Sequence, residues 1–201
     1  MNAAPQREAI TGLVLCGGRG TRMGGVEKAL LPWAGRPLLA HVLDRLSPQV
    51  AMVALNVNRE AARYAAFGLP LWPDADDRLP GPLAGWQAAL GRLHTEWLLT
   101  VPSDSPLLPP ELALRLAEPL AAPGAPPLAI ATTADGPQPV FALLHRSLAP
   151  ALAAALAAGE RGVHRFARAQ AAAEVHFDDA TAFADADTPQ DLTNLARLAP
   201  R

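Results

Sequence analysis

The residues best suited to chemistry are concentrated in one glycine-rich segment near the start of the chain. Residues 15–28, LCGGRGTRMGGVEK, include five glycines and directly follow a short apolar stretch. Glycine tolerates positive φ and allows close backbone approach, so successive N–H groups can converge on anionic oxygens. Arg22 and Lys28 add two full positive charges to the same segment. The segment therefore predicts a loop that holds phosphate groups.

Two better-known phosphate-binding motifs do not fit this spacing. A dinucleotide-binding fingerprint that starts at Gly18 would need a glycine where Met23 stands. A P-loop would need a Gly-Lys-Ser/Thr sequence, which does not follow. For this segment taken alone, a glycine-rich hairpin without a ligand remains the alternative.

Three polar residues further along the chain end or follow apolar segments that are typical of buried strands. They are Asn56, Asp74 and Asp104, the last of which lies between two serines. Open α/β sheets bind ligands at the carboxyl ends of their strands, where Leu15 is also predicted. Asp104 is suited to a hard cation that prefers oxygen ligands. For Asn56 and Asp74, a turn former and a solvated loop acid remain alternative interpretations.

A scaffold of alternating strands and helices is predicted to position these residues. Strands are predicted at 10–15, 50–57, 69–72, 97–101, 128–132 and 140–144. Helices are predicted at 37–46, 59–67, 83–93, 110–116 and 148–158, and a closing helix begins at Thr188 with Pro189 in its first turn. This alternation implies right-handed crossovers and a mainly parallel sheet with helices on both faces. The predicted fold is an α/β, Rossmann-like three-layer sandwich.

Composition limits the class of protein. The chain has 201 residues, half of them hydrophobic and 18% charged, which predicts one globular domain over 1–201. The Ala- and Pro-rich tract 118–127 is interpreted as a surface loop between two halves of that domain, 10–118 and 128–198. A net charge of −2 argues against binding to nucleic acid, which requires many basic contacts.

Cysteine and hydropathy patterns favour a reducing, aqueous location. Cys16 is the only cysteine, so an intrachain disulfide and a multi-cysteine zinc site are both excluded. Residues 1–8 contain no apolar run that could serve as a signal peptide, and no uninterrupted apolar stretch approaches the length of a membrane span. A cytoplasmic location without a membrane partner is expected.

The glycine-rich segment and its continuation, LCGGRGTRMGGVEKALLPWAGRPLLAHV, resemble the signature region of molybdenum cofactor guanylyltransferases, LAGGxxxRMGGxDK followed by GxPL. The similarity continues in ALNVNR, PDADDRLPGPLAG, VPSDSPLLPP, AGERGV and DADTPQDL, in the family's order. It implies a fold of the nucleotide-diphospho-sugar transferase type and Mg²⁺-dependent transfer of GMP from GTP to the phosphate of molybdopterin. The first 118 residues would bind GTP and Mg²⁺, and 128–198 would bind the acceptor.

The resemblance also implies roles for individual residues. The loop around Leu15, Cys16, Gly17 and Gly18 would hold the guanine and ribose. Arg22 and Lys28 would bind the triphosphate, Asn56 and Asp74 would contact the nucleoside, and Asp104 would ligate Mg²⁺. Arg22, Lys28 and Asp104 are therefore the expected catalytic residues.

Several positions depart from the family pattern. Cys16 replaces Ala, and its thiol could be either an inert buried group or a reactive one. Glu27 replaces Asp before Lys28, and Ser103 stands where Cys is frequent. Asp185 and Asp187 replace Asn, and Asp187 is the expected second Mg²⁺ ligand because related nucleotidyltransferases use this position as a metal contact.

Acceptor recognition has weaker sequence signals. Residues 136–141, GPQPVF, and 159–161, GER, resemble segments on the pterin side, which makes Gln138 and Arg161 candidate acceptor contacts. A plain surface arginine is an equal alternative for Arg161. The attacking group would be a phosphate monoester, largely ionised at neutral pH because its second pKa is about 6, so no general base is required.

The expected partners are GTP and molybdopterin or Mo-molybdopterin, with transient contacts to proteins that deliver molybdopterin or mature molybdoenzymes. One alternative is a CTP-dependent molybdopterin cytidylyltransferase, which usually carries LAAG where this chain has LCGG; the GPLAG at 81–85 also favours guanine. A nucleotide-binding module that has lost catalysis would be expected to lack Arg22, Lys28 or Asp104. A sugar-phosphate nucleotidyltransferase is a third possibility.

Overall fold

A six-stranded sheet forms the centre of the computed structural model, which describes residues 4–17, 27–75 and 81–198. In chain order the described strands are β1 (Ile10–Leu15), β2 (Pro32–Trp33), β3 (Arg36–Pro37), β4 (Met52–Asn56), β5 (Trp97–Pro102), β6 (Leu128–Thr133), β7 (Gly136–His145) and β8 (Ala173–His176). The sheet order is β4-β1-β5-β7-β6-β8, and β2 and β3 pair separately. Only β7 among these six strands runs opposite to the others, which confirms the predicted mainly parallel sheet.

Helices cover both faces of this sheet. The described α-helices are α1 (Leu38–Leu46), α2 (Ala61–Tyr64), α3 (Pro82–Leu90), α4 (Leu112–Ala117), α5 (Ala149–Ala157), α6 (Val163–Ala169) and α7 (Pro189–Leu198). Helices α1 and α4 pack on one apolar cluster, whereas α3, α5 and α6 pack on the other. All six residues of β1 are buried, as expected for a strand covered on both sides. The three-layer prediction is therefore confirmed.

Some predicted elements are shorter than expected. The strand predicted at 69–72 is a single bridge between Leu71 and Leu55. Pro70 and Pro73 flank this bridge and have no N–H to extend a ladder. The helix predicted at 59–67 is the four-residue α2 followed by a 3₁₀ turn, and it ends at Gly68 with φ of 67°. Hydrophobic spacing identified the element but not how far its hydrogen bonding continues.

The second half of the sheet contains features that the sequence did not indicate. The strand predicted at 140–144 is the end of the longer β7, and neither α6 nor β8 was predicted. The β6–β7 register shifts so that Ile130 pairs with Ala142 while Ala131 pairs with Gln138. Residues 139–141 bulge out of the ladder there, and the Val140 carbonyl accepts a hydrogen bond of 2.6 Å from the Thr100 hydroxyl.

The closing helix begins where it was predicted. The Thr188 hydroxyl and N–H both donate to Asp191 Oδ2, at 2.8 and 2.7 Å, and Asp191 N–H donates back to Thr188 Oγ1 at 3.2 Å. This reciprocal pattern is a capping box around the first turn of α7. None of the helices in the described ranges is long and apolar enough to cross a membrane.

Substitution of Leu143, a fully buried residue of β7, is expected to have a large effect on stability. Leu143→Ala should lower the free energy of unfolding by about 2–5 kcal/mol, because it removes buried methyl groups and leaves a cavity. Leu114→Ala is the matched control, since Leu114 is 65% exposed and should change stability by less than about 0.5 kcal/mol. Urea unfolding measures both, and equal losses would contradict the described core.

Candidate active site

The carboxyl ends of β1, β4 and β5 lie together at one edge of the sheet. Leu15, at the end of β1, pairs with Asn56 on one side and with Pro102 on the other. The backbone continues this alignment, since Cys16 N–H donates to the Asn56 carbonyl and Ser103 N–H to the Leu15 carbonyl. A cleft of about 200 Å³ opens here, and its lining includes Leu15, Cys16, Gly17, Glu27, Lys28, Ser103 and Asp104.

A cluster of opposite charges occupies this edge. The Lys28 ammonium lies 3.3 Å from Asp104 Oδ2 and also forms an ion pair with Asp187 Oδ1. The exposed fractions of the three side chains are 22% for Lys28, 17% for Asp104 and 38% for Asp187. Residues from three distant parts of the chain therefore meet around one cation. We refer to Lys28, Asp104 and Asp187 as the charge cluster.

Burial and charge pairing act in opposite directions on this cluster. Burial raises the pKa of Asp104, and the neighbouring Lys28 charge only partly opposes the shift. Burial alone would lower the pKa of Lys28, but the hydrogen bond to Asp187 and the charge of Asp104 outweigh it and raise the pKa. Lys28 therefore remains a cation at neutral pH.

Two hydrogen bonds fasten the Asp187 segment to the end of β5. Ala186 N–H donates to the Asp104 carbonyl at 2.9 Å, and the buried Ser105 hydroxyl donates to Asp185 Oδ1 at 2.6 Å. Burial raises the pKa of Asp185 to about 6, and the negative charge of Asp104 acts in the same direction. The segment that carries Asp187 is thus held next to Asp104 by both backbone and side chain.

Helix α7 supports this segment from behind. The Trp33 indole N–H donates to the Leu192 carbonyl at 3.1 Å. Ala186 and Leu195 pack with Trp33 in a small apolar cluster that also contains Leu38 and Leu107. Packing of α7 therefore determines where Asp187 lies.

A second polar group lies at the end of β4. Asn56 is 3% exposed, and its Nδ2 donates to the Trp72 carbonyl and to Asp74 Oδ1, both at 2.8 Å. Asn58 Nδ2 donates to Asp74 Oδ2, and Asp74 N–H donates to Asn58 Oδ1, again both at 2.8 Å. Both carboxylate oxygens of Asp74 are therefore oriented by amides. Asn58 had no role assigned from the sequence, although it lies in the ALNVNR segment.

Gly85 in α3 is required by the position of Asn56. A Cβ atom at Gly85 would lie 2.7 Å from both Asn56 Oδ1 and Leu15 Cδ2, which is too close for either neighbour. Gly17 also lies next to the group, where a Cβ would be 3.4 Å from Asn58 Nδ2, an ordinary contact. The glycine in GPLAG thus allows α3 to pack directly on the buried amide.

The chain carries the features of one nucleotide-handling family. The family model of the MobA-like NTP transferase domain matches residues 12–177. The chain belongs to this family. It is 47% identical to the molybdenum cofactor guanylyltransferase of Bordetella pertussis over 189 residues, which cover 92% of this chain and 96% of the relative. It is 45% identical to the protein of the same name from Cupriavidus necator, with the same coverage of 92% and 96%.

A solved structure confirms the fold of this MobA-like domain. The molybdopterin-guanine dinucleotide biosynthesis protein A of Archaeoglobus fulgidus superimposes with a TM-score of 0.75 at 23% identity, covering 94% of this chain and 97% of that one. At this identity the similarity supports the architecture, and residue roles must come from the geometry of the site.

The structure brings most of the predicted site residues of this MobA-like domain to one edge. Leu15, Cys16 and Gly17 line the cleft with Lys28 and Asp104, and Asn56 and Asp74 form the adjacent group. Gly18 and Arg22 lie outside the described residues. The Cys16 thiol is buried, burial raises its pKa, and it donates weakly to the Val14 carbonyl at 3.6 Å. These observations favour the inert interpretation of the thiol.

The two candidate acceptor contacts lie in the second half of the domain. Gln138 lies on β7, two residues before Val140, which lines the cleft. Arg161 Nη1 donates to the Leu156 carbonyl in the last turn of α5 at 3.0 Å and to the Glu160 carbonyl, just past that helix, at 2.6 Å. Its role toward an acceptor stays a prediction.

The geometry at Asp74 predicts a role for Asn58 in nucleotide binding. Asn58→Ala should weaken GTP binding by about fivefold, the scale of one hydrogen bond, because Asp74 loses the amide that orients it. Asn58 is exposed, so the thermal midpoint should change little. Calorimetric titration with GTP measures the affinity, and Gln6→Ala, an exposed amide before β1, is the control. An unchanged affinity in Asn58→Ala would show that Asp74 does not need this bond.

Proposed function

We propose that this enzyme transfers GMP from GTP to the phosphate of molybdopterin in an Mg²⁺-dependent reaction and releases pyrophosphate. One observation supports this most strongly: the charge cluster and the Asn56–Asp74 group lie side by side at the carboxyl ends of parallel strands. Such an edge is where open α/β sheets bind nucleotides. Membership of the MobA-like family and relatives that carry the guanylyltransferase name agree with it.

The reaction requires two anions to approach each other. An oxygen of the acceptor phosphate attacks the α-phosphorus of GTP, and the bond from that phosphorus to the bridging oxygen breaks as pyrophosphate departs. Lys28 is placed to bind phosphate oxygens and offset their negative charge. The attacking monoester is already ionised at neutral pH, so no described side chain has to remove a proton. The catalytic work of the chain is positioning and charge neutralisation.

The residues present fit a magnesium ion. Asp104 and Asp187 already converge on one cationic centre, the Lys28 ammonium, so their carboxylates can share a cation. No group of three or more His, Cys, Asp or Glu side chains within the described ranges is arranged as a metal site. Such a sparse set suits Mg²⁺, which usually takes one or two carboxylates and completes its shell with water and substrate phosphates. When bound, Mg²⁺ supplies positive charge to the phosphates and the leaving pyrophosphate.

The guanine preference is supported by the relatives that carry the guanylyltransferase name. The GPLAG sequence agrees with it, since its last glycine, Gly85, packs directly on Asn56 beside the cleft. GTP and molybdopterin, or its molybdenum-loaded form, are the proposed substrates, and proteins that supply the pterin or receive the product are the proposed transient partners. A cytoplasmic site of action is proposed from the same substrates.

A pyrophosphate-release assay tests the proposed function. Purified protein is supplied with GTP or CTP in parallel, each with and without molybdopterin and with Mg²⁺ or EDTA. Release that requires GTP, molybdopterin and Mg²⁺ together is the expected result. Faster turnover with CTP would identify a cytidylyltransferase, and release with a hexose phosphate as acceptor would identify a sugar-phosphate nucleotidyltransferase.

Asp104→Asn should lower the rate of GMP transfer by about 10² or more, the scale of losing one electrostatic stabiliser. The amide is isosteric but offers a dipole where the carboxylate offers a full charge to a cation. Asp104 faces the cleft, so the fold should be retained. Mg²⁺-dependent pyrophosphate release and thermal unfolding are measured on the same preparation. Near-normal turnover at limiting Mg²⁺ would transfer the metal-binding role to Asp187.

A further inference from the structure

Tyr64, the only tyrosine in the chain, is completely buried beneath the segment that carries Lys28. It lies at the end of α2, and its ring belongs to the apolar cluster that contains Cys16 and Val57. Its hydroxyl donates to Glu27 Oε2 at 2.8 Å. Burial raises the pKa of this phenol, and Glu27 acts in the same direction, so the hydroxyl keeps its proton and remains a donor. A buried hydroxyl needs such a partner, because water cannot replace it.

Glu27 connects this buried hydroxyl to the charge cluster. It is the residue directly before Lys28 and precedes the 3₁₀ turn Lys28–Leu30. The Glu27 carbonyl accepts from Leu30 N–H at 3.0 Å, and Ala29 in the same turn is buried. The turn is therefore fixed to the core at Ala29 and, through the Glu27 side chain, to Tyr64. Lys28 lies between these two fixed points.

The length of the Glu27 side chain matters for this contact. The family pattern has aspartate here, whereas the longer glutamate of this chain is the group that reaches the Tyr64 hydroxyl. A side chain one methylene shorter would lose the bond unless the backbone before Lys28 moved toward α2. The departure from the pattern thus has a physical consequence at the neighbouring lysine.

We propose that the Tyr64–Glu27 hydrogen bond positions Lys28 for the triphosphate, so that Tyr64 and Glu27 are positioning residues of the nucleotide site. This rests on the proposed function for the identity of the nucleotide. The bond restricts the turn on its N-terminal side. Lys28 is then ordered before GTP arrives, and less of the binding energy is spent on ordering it.

A double-mutant cycle tests the proposal with the GTP dissociation constant as the main readout. Tyr64→Phe keeps the buried ring and removes only the hydroxyl. Glu27→Asp keeps the carboxylate charge but shortens the side chain, so that it no longer reaches the Tyr64 hydroxyl. Each variant should raise the dissociation constant and the KM for GTP about fivefold, the scale of ordering one long side chain, with kcat changed less than about threefold. Glu27→Gln keeps both length and acceptor and should stay within about twofold of wild type.

The combined variant distinguishes a shared contact from two separate effects. The double variant Tyr64→Phe/Glu27→Asp should bind GTP no more weakly than either single variant, because each substitution removes the same hydrogen bond. Thr11→Val is the matched control: it removes a buried hydroxyl that bonds to Thr95 at 2.8 Å near the start of β1, away from the cleft. It should lower the thermal midpoint without changing the affinity for GTP.

Three results would overturn the proposal. The increases in the GTP dissociation constant caused by Tyr64→Phe and Glu27→Asp could multiply in the double variant, or the constant could be unchanged in both single variants. An equal loss of GTP affinity in Thr11→Val would also overturn it. Glu27 lines the cleft, so Glu27→Asp should fold even if Tyr64→Phe, a change at a fully buried residue, does not. The affinity of Glu27→Asp for GTP then decides the test. A wild type that binds GTP but transfers no GMP would overturn the proposed function alone, because the cycle is read from binding.

Discussion

An ammonium group that is withdrawn from water has to be matched by negative charge, and this requirement organises the site. Lys28 is largely shielded and is held between Asp104 and Asp187. Removal of either carboxylate would leave part of that charge uncompensated in a region where burial already raises the pKa of Asp104. The geometry of the site depends on these side chains staying together, although 159 positions separate Lys28 from Asp187.

The fold satisfies this requirement through parallel strands and one closing helix. Strand β5 delivers Asp104 to the edge at which β1 delivers the start of the glycine-rich loop. Helix α7, packed on Trp33, delivers Asp187. The same arrangement exposes anionic and cationic groups toward one cleft. We propose that a site built in this way accepts a triphosphate on the lysine and a divalent cation on the carboxylates.

Sequence reasoning identified the edge of the sheet more securely than the contacts within it. Apolar segments that end in Asn56 and Asp104 indicated parallel strands and therefore a common edge. Periodicity carries no information on strand direction, so the reversed β7 and its bulge could not be predicted. Asp187 was named only through the family resemblance, because its proximity to Lys28 depends on how α7 packs.

Other contacts were missed because their residues look ordinary in the sequence. Tyr64 occupies a position that reads as one more apolar residue, and its bond to Glu27 depends on the fold of a loop. Asn58 reads as a turn former until Asp74 is placed beside it. The hydrogen bonds of Arg161 to the Leu156 and Glu160 carbonyls also depend on the fold, and they leave its predicted contact with the acceptor a prediction.

The central claim is that the charge cluster is where the triphosphate and its cation bind. A crystal structure of the protein with Mg²⁺ and a non-hydrolysable GTP analogue tests it most directly. We expect the phosphates to contact the Lys28 ammonium, the metal to bind Asp104 and Asp187, and the nucleoside to lie beside Asn56 and Asp74. A triphosphate bound elsewhere, with Lys28 still enclosed by its two carboxylates, would contradict it.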